Sequence, residues 1–473
     1  MQTKFSNQSK TKMSKTKTFF KILIISVFVL SFFSCTKKTR EVSQTTSIDL
    51  SKPNVVLIFV DDMGYGDLGC YGHPNIKTPN IDNMADEGIR FTSFYAVASV
   101  CTPSRAGLLT GRYPIRSIPT NCGPSSPEKG MPVSEITIAN VLKDAGYNTA
   151  AIGKWHLGQQ KHFLPTSRGF DSFYGLPYSN DMILPWCPWL TEKDTLFMYE
   201  NDKPIKEIGF NQDNLIVDYT KKAVEFIQTQ KDVPFFLYLA HAMPHMPIST
   251  SAEFKGKSDG GLYGDVVETL DWSVGQVLKT LKEQGLDKNT LVIFTSDNGP
   301  WQNLPERMLL KGVKPWHGGT VGLLRGSKAT TYEGGFRVPG IVRWPGQIPQ
   351  KQTNTEMATT MDLFTTIIEI TRAKLPTDRK IDGNNILPLL KGKGKSPTQE
   401  LFYFNGAKAE AFRKGNWKYR FTKNEGEQLF NLKNDPGEMY NRAKEKPDIV
   451  EELHKDLTNF AIETNAEMDN LYQ

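Results

Sequence analysis

The chain has 473 residues, 38% hydrophobic and 23% charged, a balance that suits a globular protein with one extensive core, alone or with a smaller one beside it. Its formal charge of +6 is misleading: nine Lys and Arg and no acid fall within residues 1–40, so the remainder carries −3. Net charge therefore argues against a nucleic-acid partner.

The basic start runs into Ile22–Phe33, a twelve-residue apolar stretch too short to cross a bilayer comfortably, which reads as the core of a secretory signal peptide. Ser34-Cys35 closes it in the manner of a bacterial lipobox, whose cysteine is lipidated and heads the mature chain. We expect a signal peptide over 1–34, a membrane anchor at Cys35 and a polar tether over 35–52. That places the protein in the periplasm, on the outer membrane or cell surface, or in the medium. Cys70, Cys101, Cys122 and Cys187 remain, too few for a disulfide framework in a chain of this length.

Asn54–Val60 is a continuous apolar run rich in β-branched residues, as expected of a strand buried on both faces of a parallel sheet. Pro234–Ala240 and Leu291–Thr295 read the same way, and amphipathic helices are predicted over Glu135–Ala145, Asp213–Gln228 and Val266–Gln284. Strands alternating with helices predict an α/β domain over 53–374 whose site lies at the carboxyl ends of the strands. From 375 to 473 the texture changes. Short strands at Leu401–Asn405, Ala411–Arg413, Trp417–Thr422 and Gln428–Leu432, then a helix over Pro447–Asn465, predict a smaller α+β subdomain.

The strand ends carry the chemistry. Asp61-Asp62 follows the first strand beside glycines that permit a tight turn, and Asp297-Asn298 follows the third. Either pair alone suits a solvated acidic turn; together, on neighbouring strands, they predict oxygen ligands for one hard divalent cation. His241 and His245 follow the second strand, where Pro244 and Pro247 oppose a helix and favour a loop with one acid–base histidine over a zinc pair. Lys154 and His156, two apart, are expected on one side of an extended segment, and Lys328 sits in a glycine-punctuated turn. These cations suit an anionic substrate, although surface placement would also accommodate them. Pro103 suits the first turn of a helix, which puts Cys101 at a helix start with Arg105 on the same face.

Cys101-Thr-Pro-Ser-Arg105, continuing Ala-Gly-Leu-Leu-Thr-Gly111, resembles the signature of type I sulfatases, with the Asp61-Asp62, Lys154/His156, His245, Asp297-Asn298 and Lys328 segments in the matching order. Leu429–Glu438 resembles a motif near that family's C-terminus, so the likeness covers roughly 52–445. The resemblance implies an alkaline-phosphatase-like fold. It further implies Cys101 converted to formylglycine by a formylglycine-generating enzyme, and one Ca²⁺, with Mg²⁺ as the substitute, on Asp61, Asp62, residue 101, Asp297 and Asn298. Arg105, Lys154, Lys328, His156 and His245 would neutralise the sulfate and move protons, with His245 serving the leaving oxygen and His156 the release of sulfate. The implied substrate is a sulfated glycan, algal polysaccharide before glycosaminoglycan. The rival readings are a phosphate or phosphonate ester hydrolase and a non-catalytic glycan-binding lipoprotein. Trp186, Trp189, Trp301, Trp316 and His317, in loops around 177–190 and 300–320, are the expected sugar contacts, unless they only pack those loops. Ala329 stands where the family often has glycine.

Overall fold

The computed structural model describes residues 52–230 and 232–469; the expected signal segment, Cys35 and almost all of the tether lie outside them. A ten-stranded sheet runs through the molecule. Four central strands position the site: β1 (Asn54–Val60), β2 (Asn148–Lys154), β3 (Phe235–Ala240) and β4 (Thr290–Ser296). Their order is β4-β1-β3-β2, all parallel. Ser172–Leu176 continues the parallel set beyond β2, and antiparallel strands, Gly340–Arg343 on one side and Phe197–Glu200 on the other, lead to the edges.

The period-2 geometry of a strand explains why these runs are apolar throughout. In β1, Val56, Ile58 and Val60 enter one core while Val55, Leu57 and Phe59 enter the other. β3 divides likewise, with Leu237 and Leu239 on one face and Phe236 and Tyr238 on the other. Helices Pro79–Asp86, Leu215–Thr229 and Gly261–Glu283 cover the first face; Cys101–Thr110, Ile138–Asp144 and Thr360–Thr371 cover the second. Each large apolar side chain so removed from water contributes about 2 kcal/mol.

The helix predicted from Glu135 begins instead at Ile138, because Thr137 caps it: its hydroxyl accepts the Asn140 N–H while the Asn140 side chain accepts the Thr137 N–H. The helix predicted from Val266 starts earlier, at Gly261, where Asp265 accepts the N–H groups of Gly256, Lys257 and Ser258 and folds the preceding loop onto it.

At the C-terminal end, Glu400–Asn405, Lys408–Lys414, Trp417–Thr422 and Gly426–Asn431 form an antiparallel meander covered by helix Pro447–Thr464. Phe460 of that helix stacks on Phe402 at 3.8 Å between ring centres. The same apolar cluster takes in Tyr95, Tyr113 and Phe336 from outside the meander, so the small sheet shares a core with the segments beside it. The fold is mixed α/β, with a mostly parallel central sheet and a C-terminal antiparallel sheet. Among the described residues, Cys70, Cys101, Cys122 and Cys187 are all free, and no helix is long and apolar enough to cross a membrane.

Candidate active site

The register of the four strands lines up the residues that follow them. Val60 pairs with Ser296, Phe59 with Ala240, and Ala240 with Gly153, so Asp61, Asp297, His241 and Lys154 stand along one edge of the sheet. Gly153 makes the close approach feasible: its φ is +112°, and a Cβ there would lie 1.8 Å from the Ala240 carbonyl oxygen. The sequence points to extended backbone only at the Gly153-Lys154 end of β2, since Asn-Thr-Ala-Ala-Ile-Gly-Lys lacks a long apolar run.

The helix Cys101–Thr110 begins at Cys101, with Val100 extended before it, and aims its first turn at this edge. Cys101 Sγ is 3.3 Å from Asp61 Oδ1 and 3.6 Å from Lys328 Nζ. Arg105, one turn on and fully buried, donates from Nε and Nη2 to Asp297 Oδ2 at 3.1 and 2.8 Å and from Nη1 to the Lys154 carbonyl at 2.9 Å. The Lys154 ammonium is bonded to Asp61 and, at 3.1 Å, to Ser179 Oγ. Lys328 Nζ lies 2.8 Å from Asp62 Oδ2.

Charge and burial compete here. Burial would raise the Asp61 carboxyl, but Lys154, His245, Arg105 and Lys328 together hold it well below the usual range. Asp297 is pushed up to about 7 by burial and by Asp61, against Arg105. Burial and Asp61 drive the Cys101 thiol well above its ordinary value, so it is protonated and a poor nucleophile as it stands.

Residue 101 opens into a cavity of 250 Å³ lined also by Asn121, His156, Ser179, Asp181, Met182, His245, Trp301, Lys328 and Ala329. His156 is not part of an extended segment: β2 ends at Lys154 and His156 adopts φ +57°. Its Nε2 donates to the Cys122 carbonyl at 2.9 Å, which leaves a bare, buried Nδ1. Burial, with Lys154 and Arg105 nearby, keeps the ring neutral. His245 donates from Nδ1 to the Met246 carbonyl and turns Nε2 toward Asp62 at 3.6 Å. His241 faces away from the cavity, bonded at 3.1 Å to Ser273 Oγ of the helix Gly261–Glu283, and burial pushes it down to about 3.

Residues 53–373 match the family model for sulfatases, and residues 326–463 match that for the C-terminal region of N-sulphoglucosamine sulphohydrolase. The chain belongs to the sulfatase family. It is 41% identical over 382 residues to N-acetylgalactosamine-6-sulfatase of Mus musculus, a match covering 77% of this chain and 71% of that one. A solved structure reported under the metabolism of multiple glycosaminoglycans by Bacteroides thetaiotaomicron aligns with a TM-score of 0.75 and 31% identity over 87% of this chain and 99% of its own. Ps i-CgsB in complex with k-i-k-neocarrahexaose aligns with a TM-score of 0.73 and 30% identity over 87% and 93%. This sulfatase is therefore a sulfuric ester hydrolase with the alkaline-phosphatase-like fold.

Sulfatases generally use a divalent cation, and the donors of this one suit it. Asp61, Asp62, Cys101 and His245 offer ligand atoms within 4.8 Å of one another. Beside them Asn298 donates from Nδ2 to Asp62 Oδ1 at 2.7 Å, while its Oδ1 is buried without a partner. An orphaned carbonyl oxygen next to two carboxylates suits an oxygen-seeking ion. Asp297, an expected ligand, is more heavily engaged: Oδ2 is held by Arg105 and Oδ1 accepts the Asp62 N–H at 3.1 Å. His245 lies closer to the cluster than its expected role as proton donor required.

The aromatic residues of the sulfatase's two long loops divide. Trp301 lines the cavity, its ring centre 5.8 Å from that of His245 and 5.0 Å from Lys328 Nζ. Trp186 does not face substrate; it is fully buried and stacked on Phe210 at 4.6 Å. His317 packs in a small crevice with Trp301 and Asp62, its Nδ1 accepting the Lys314 N–H. Trp189 and Trp316 are exposed outside the cavity. The loop around 177–190 does reach the site, but through Ser179, Asp181 and Met182, small or unremarkable residues that carry no pattern of their own.

Proposed function

We propose that this sulfatase removes sulfate from a sulfated glycan through a formylglycine made from Cys101. The observation that carries the reading is the placement of Cys101 Sγ at the floor of the cavity, 3.3 Å from Asp61 and 3.6 Å from Lys328. The family, with relatives and neighbours named for N-acetylgalactosamine-6-sulfate, glycosaminoglycans and carrageenan fragments, supports a sugar ester, and a cavity of 250 Å³ suits one sulfated ring. Algal polysaccharide comes first and glycosaminoglycan second. Export and anchoring at Cys35 would place the enzyme where such polymers are met.

Hydrated formylglycine would supply one hydroxyl to attack sulfur, as the sulfur–oxygen bond to the sugar breaks, and a second whose deprotonation restores the aldehyde and expels sulfate. A divalent cation held by Asp61, Asp62, Asp297 and Asn298 beside residue 101 would supply positive charge for the sulfate oxygens. The side chains do the rest. Arg105 fixes Asp297 beside position 101, where Asp297 can take the proton of the attacking hydroxyl. Lys154 and Lys328 balance the ester's negative charge. The departing sugar oxygen needs a proton, and His245, with Nδ1–H committed to a carbonyl, presents a bare Nε2. Lys328 therefore carries that proton, delivered directly or through His245. His156, with a bare Nδ1, is the base for the second hydroxyl.

Free sulfate measured against a panel of defined sulfated oligosaccharides, with an aryl sulfate as control, tests the substrate. Turnover of the aryl ester with no release from any glycan would overturn the glycan reading. Mass analysis of the Cys101 peptide from active enzyme tests the modification, and an unmodified thiol would overturn that part.

A further inference from the structure

Apart from the catalytic cavity, a cleft of 640 Å³ opens between Thr92, Ser93 and Thr355–Met357 on one side and residues of the C-terminal meander on the other. Its walls bring Arg337, Arg413, Lys395 and Lys433 together against one carboxylate, Glu356. This is a concentration of positive charge on a chain whose residues 41–473 carry −3.

The back wall is short of compensating anions. Arg337 and Arg413 flank Tyr95, their guanidinium carbons 5.9 and 5.2 Å from its ring centre. Arg337 donates to the Thr92 carbonyl and Ser93 Oγ, and Arg413 to the Gly415 carbonyl and the Tyr95 hydroxyl, all neutral groups. The nearest carboxylate, Glu333, is 3.7 Å from Arg337 and already bonded to Lys418 at 3.0 Å and to the Tyr95 and Tyr403 hydroxyls. Lys418 also pairs with Glu438 at 2.9 Å. Arg337 and Lys418 thus share Glu333 and Glu438, Arg413 adds its charge nearby, and burial favours the neutral form of Glu438. At the rim Lys395 and Lys433 are exposed and make no ion pair among the described residues.

The unpaired ammonium groups of Lys395 and Lys433 suit the oxygens of a sulfate group, the two buried guanidiniums add positive charge behind them, and Gln399, Asn416 and Thr355 offer partners for hydroxyls. The volume falls within the range of about 300–1,000 Å³ that encloses a ligand larger than a single ion. A second depression, beside Ala329, sets Lys408, Arg420 and Lys423 against Glu410, Glu425 and Asp469 and singles out no anion.

We propose that the cationic cleft binds the sulfate groups of a second segment of the glycan, tethering the polymer while another segment occupies the catalytic cavity. This rests on the glycan reading. Free inorganic sulfate has the same oxyanion chemistry, so the experiment separates the two sources.

Full-length Cys101→Ala protein is titrated calorimetrically with a size-fractionated dextran sulfate oligosaccharide, and separately with inorganic sulfate. Two saccharide-binding events are expected, one of which weakens at least tenfold in C101A carrying Lys395→Ser and Lys433→Ser and weakens with added salt. In the enzyme with Cys101 intact, the same two lysine substitutions leave kcat/KM for 4-methylumbelliferyl sulfate unchanged. A titration identical with and without the lysines, or a single event whose affinity the lysines do not change, overturns the proposal. So does lysine-dependent binding of inorganic sulfate without lysine-dependent binding of the saccharide. A single event that weakens when the lysines are replaced is one chain spanning both sites and supports the proposal. Failure of glycan turnover defeats the substrate reading, and the calorimetry still decides the cleft.

Discussion

Arg105 donates twice to a single oxygen of Asp297, from Nε at 3.1 Å and from Nη2 at 2.8 Å, with both side chains fully buried. With its third contact, to the Lys154 carbonyl, the guanidinium ties the Cys101 helix to β2 and to the end of β4. A lysine has neither the fork nor the reach. Arg105→Lys is therefore expected to lose most activity and about 3–5 kcal/mol of stability, because Asp297 is left buried without its partner. Aryl sulfate turnover alongside denaturant unfolding checks this; a variant of parental stability would contradict it.

Position 101 is expected to matter to chemistry far more than to folding. Cys101→Ala removes one buried sulfur, at a cost of about 1 kcal/mol, and should abolish sulfate release. Cys101→Ser separates enzyme from maturation: activity in one expression host but not another would report on the machinery that modifies the residue.

Metal binding has a readout apart from catalysis. Calcium added to chelator-treated Cys101→Ala protein should raise its unfolding midpoint, by about 3 kcal/mol of stability at a hundredfold excess over the dissociation constant. Asn298→Ala, which removes the orphaned oxygen, should blunt that rise. Equal responses would remove Asn298 from the ligand set, and a larger response to magnesium would reassign the ion.

The Glu333–Lys418–Glu438 cluster should give stability two opposing pH dependences. Burial opposes ionisation of Glu333, but Lys418, Arg413 and Arg337 prevail and bring it from 4.5 to about 2, so its contribution is present above pH 4.5 and lost as pH falls toward 2. Glu438 is raised by burial to about 7, so its contribution is full below pH 4.5 and declines as pH rises through 7. Urea midpoints followed across pH 2–8 should show both limbs, and Glu438→Gln should make the upper one shallower without abolishing it, since buried Asp297 and Asp67 are also raised to about 7.

Ala329 adopts φ +64°, a left-handed conformation that costs an alanine about 1–2 kcal/mol, and it donates its N–H to the Ser99 carbonyl at 2.9 Å. Ala329→Gly should therefore stabilise the protein by up to about 1 kcal/mol after the entropic cost of glycine. A lower unfolding midpoint would show that the methyl group makes compensating contacts.

The sequence alone determined a good deal. The unbroken apolar runs of β1, β3 and β4 announced strands buried on both faces, and the acidic pairs after β1 and β4 marked the catalytic edge, because composition and period are local properties. The Cys101–Arg105 motif carried the family. Tertiary structure decided what locality could not. β2, with its modest alanines, is a strand because β3 and Ser172–Leu176 pair with it on either side, and only that pairing sets Lys154 against Asp61. Trp186 and Trp301 are the same residue type in long loops, yet one stacks on Phe210 in the interior and the other lines the cavity. Ser179 and Asp181 have no signature at all, and reach the site because the chain beyond Leu176 turns back over it. Side-chain identity states which chemistry is available; the packing of distant segments, which no local pattern encodes, states which atoms meet.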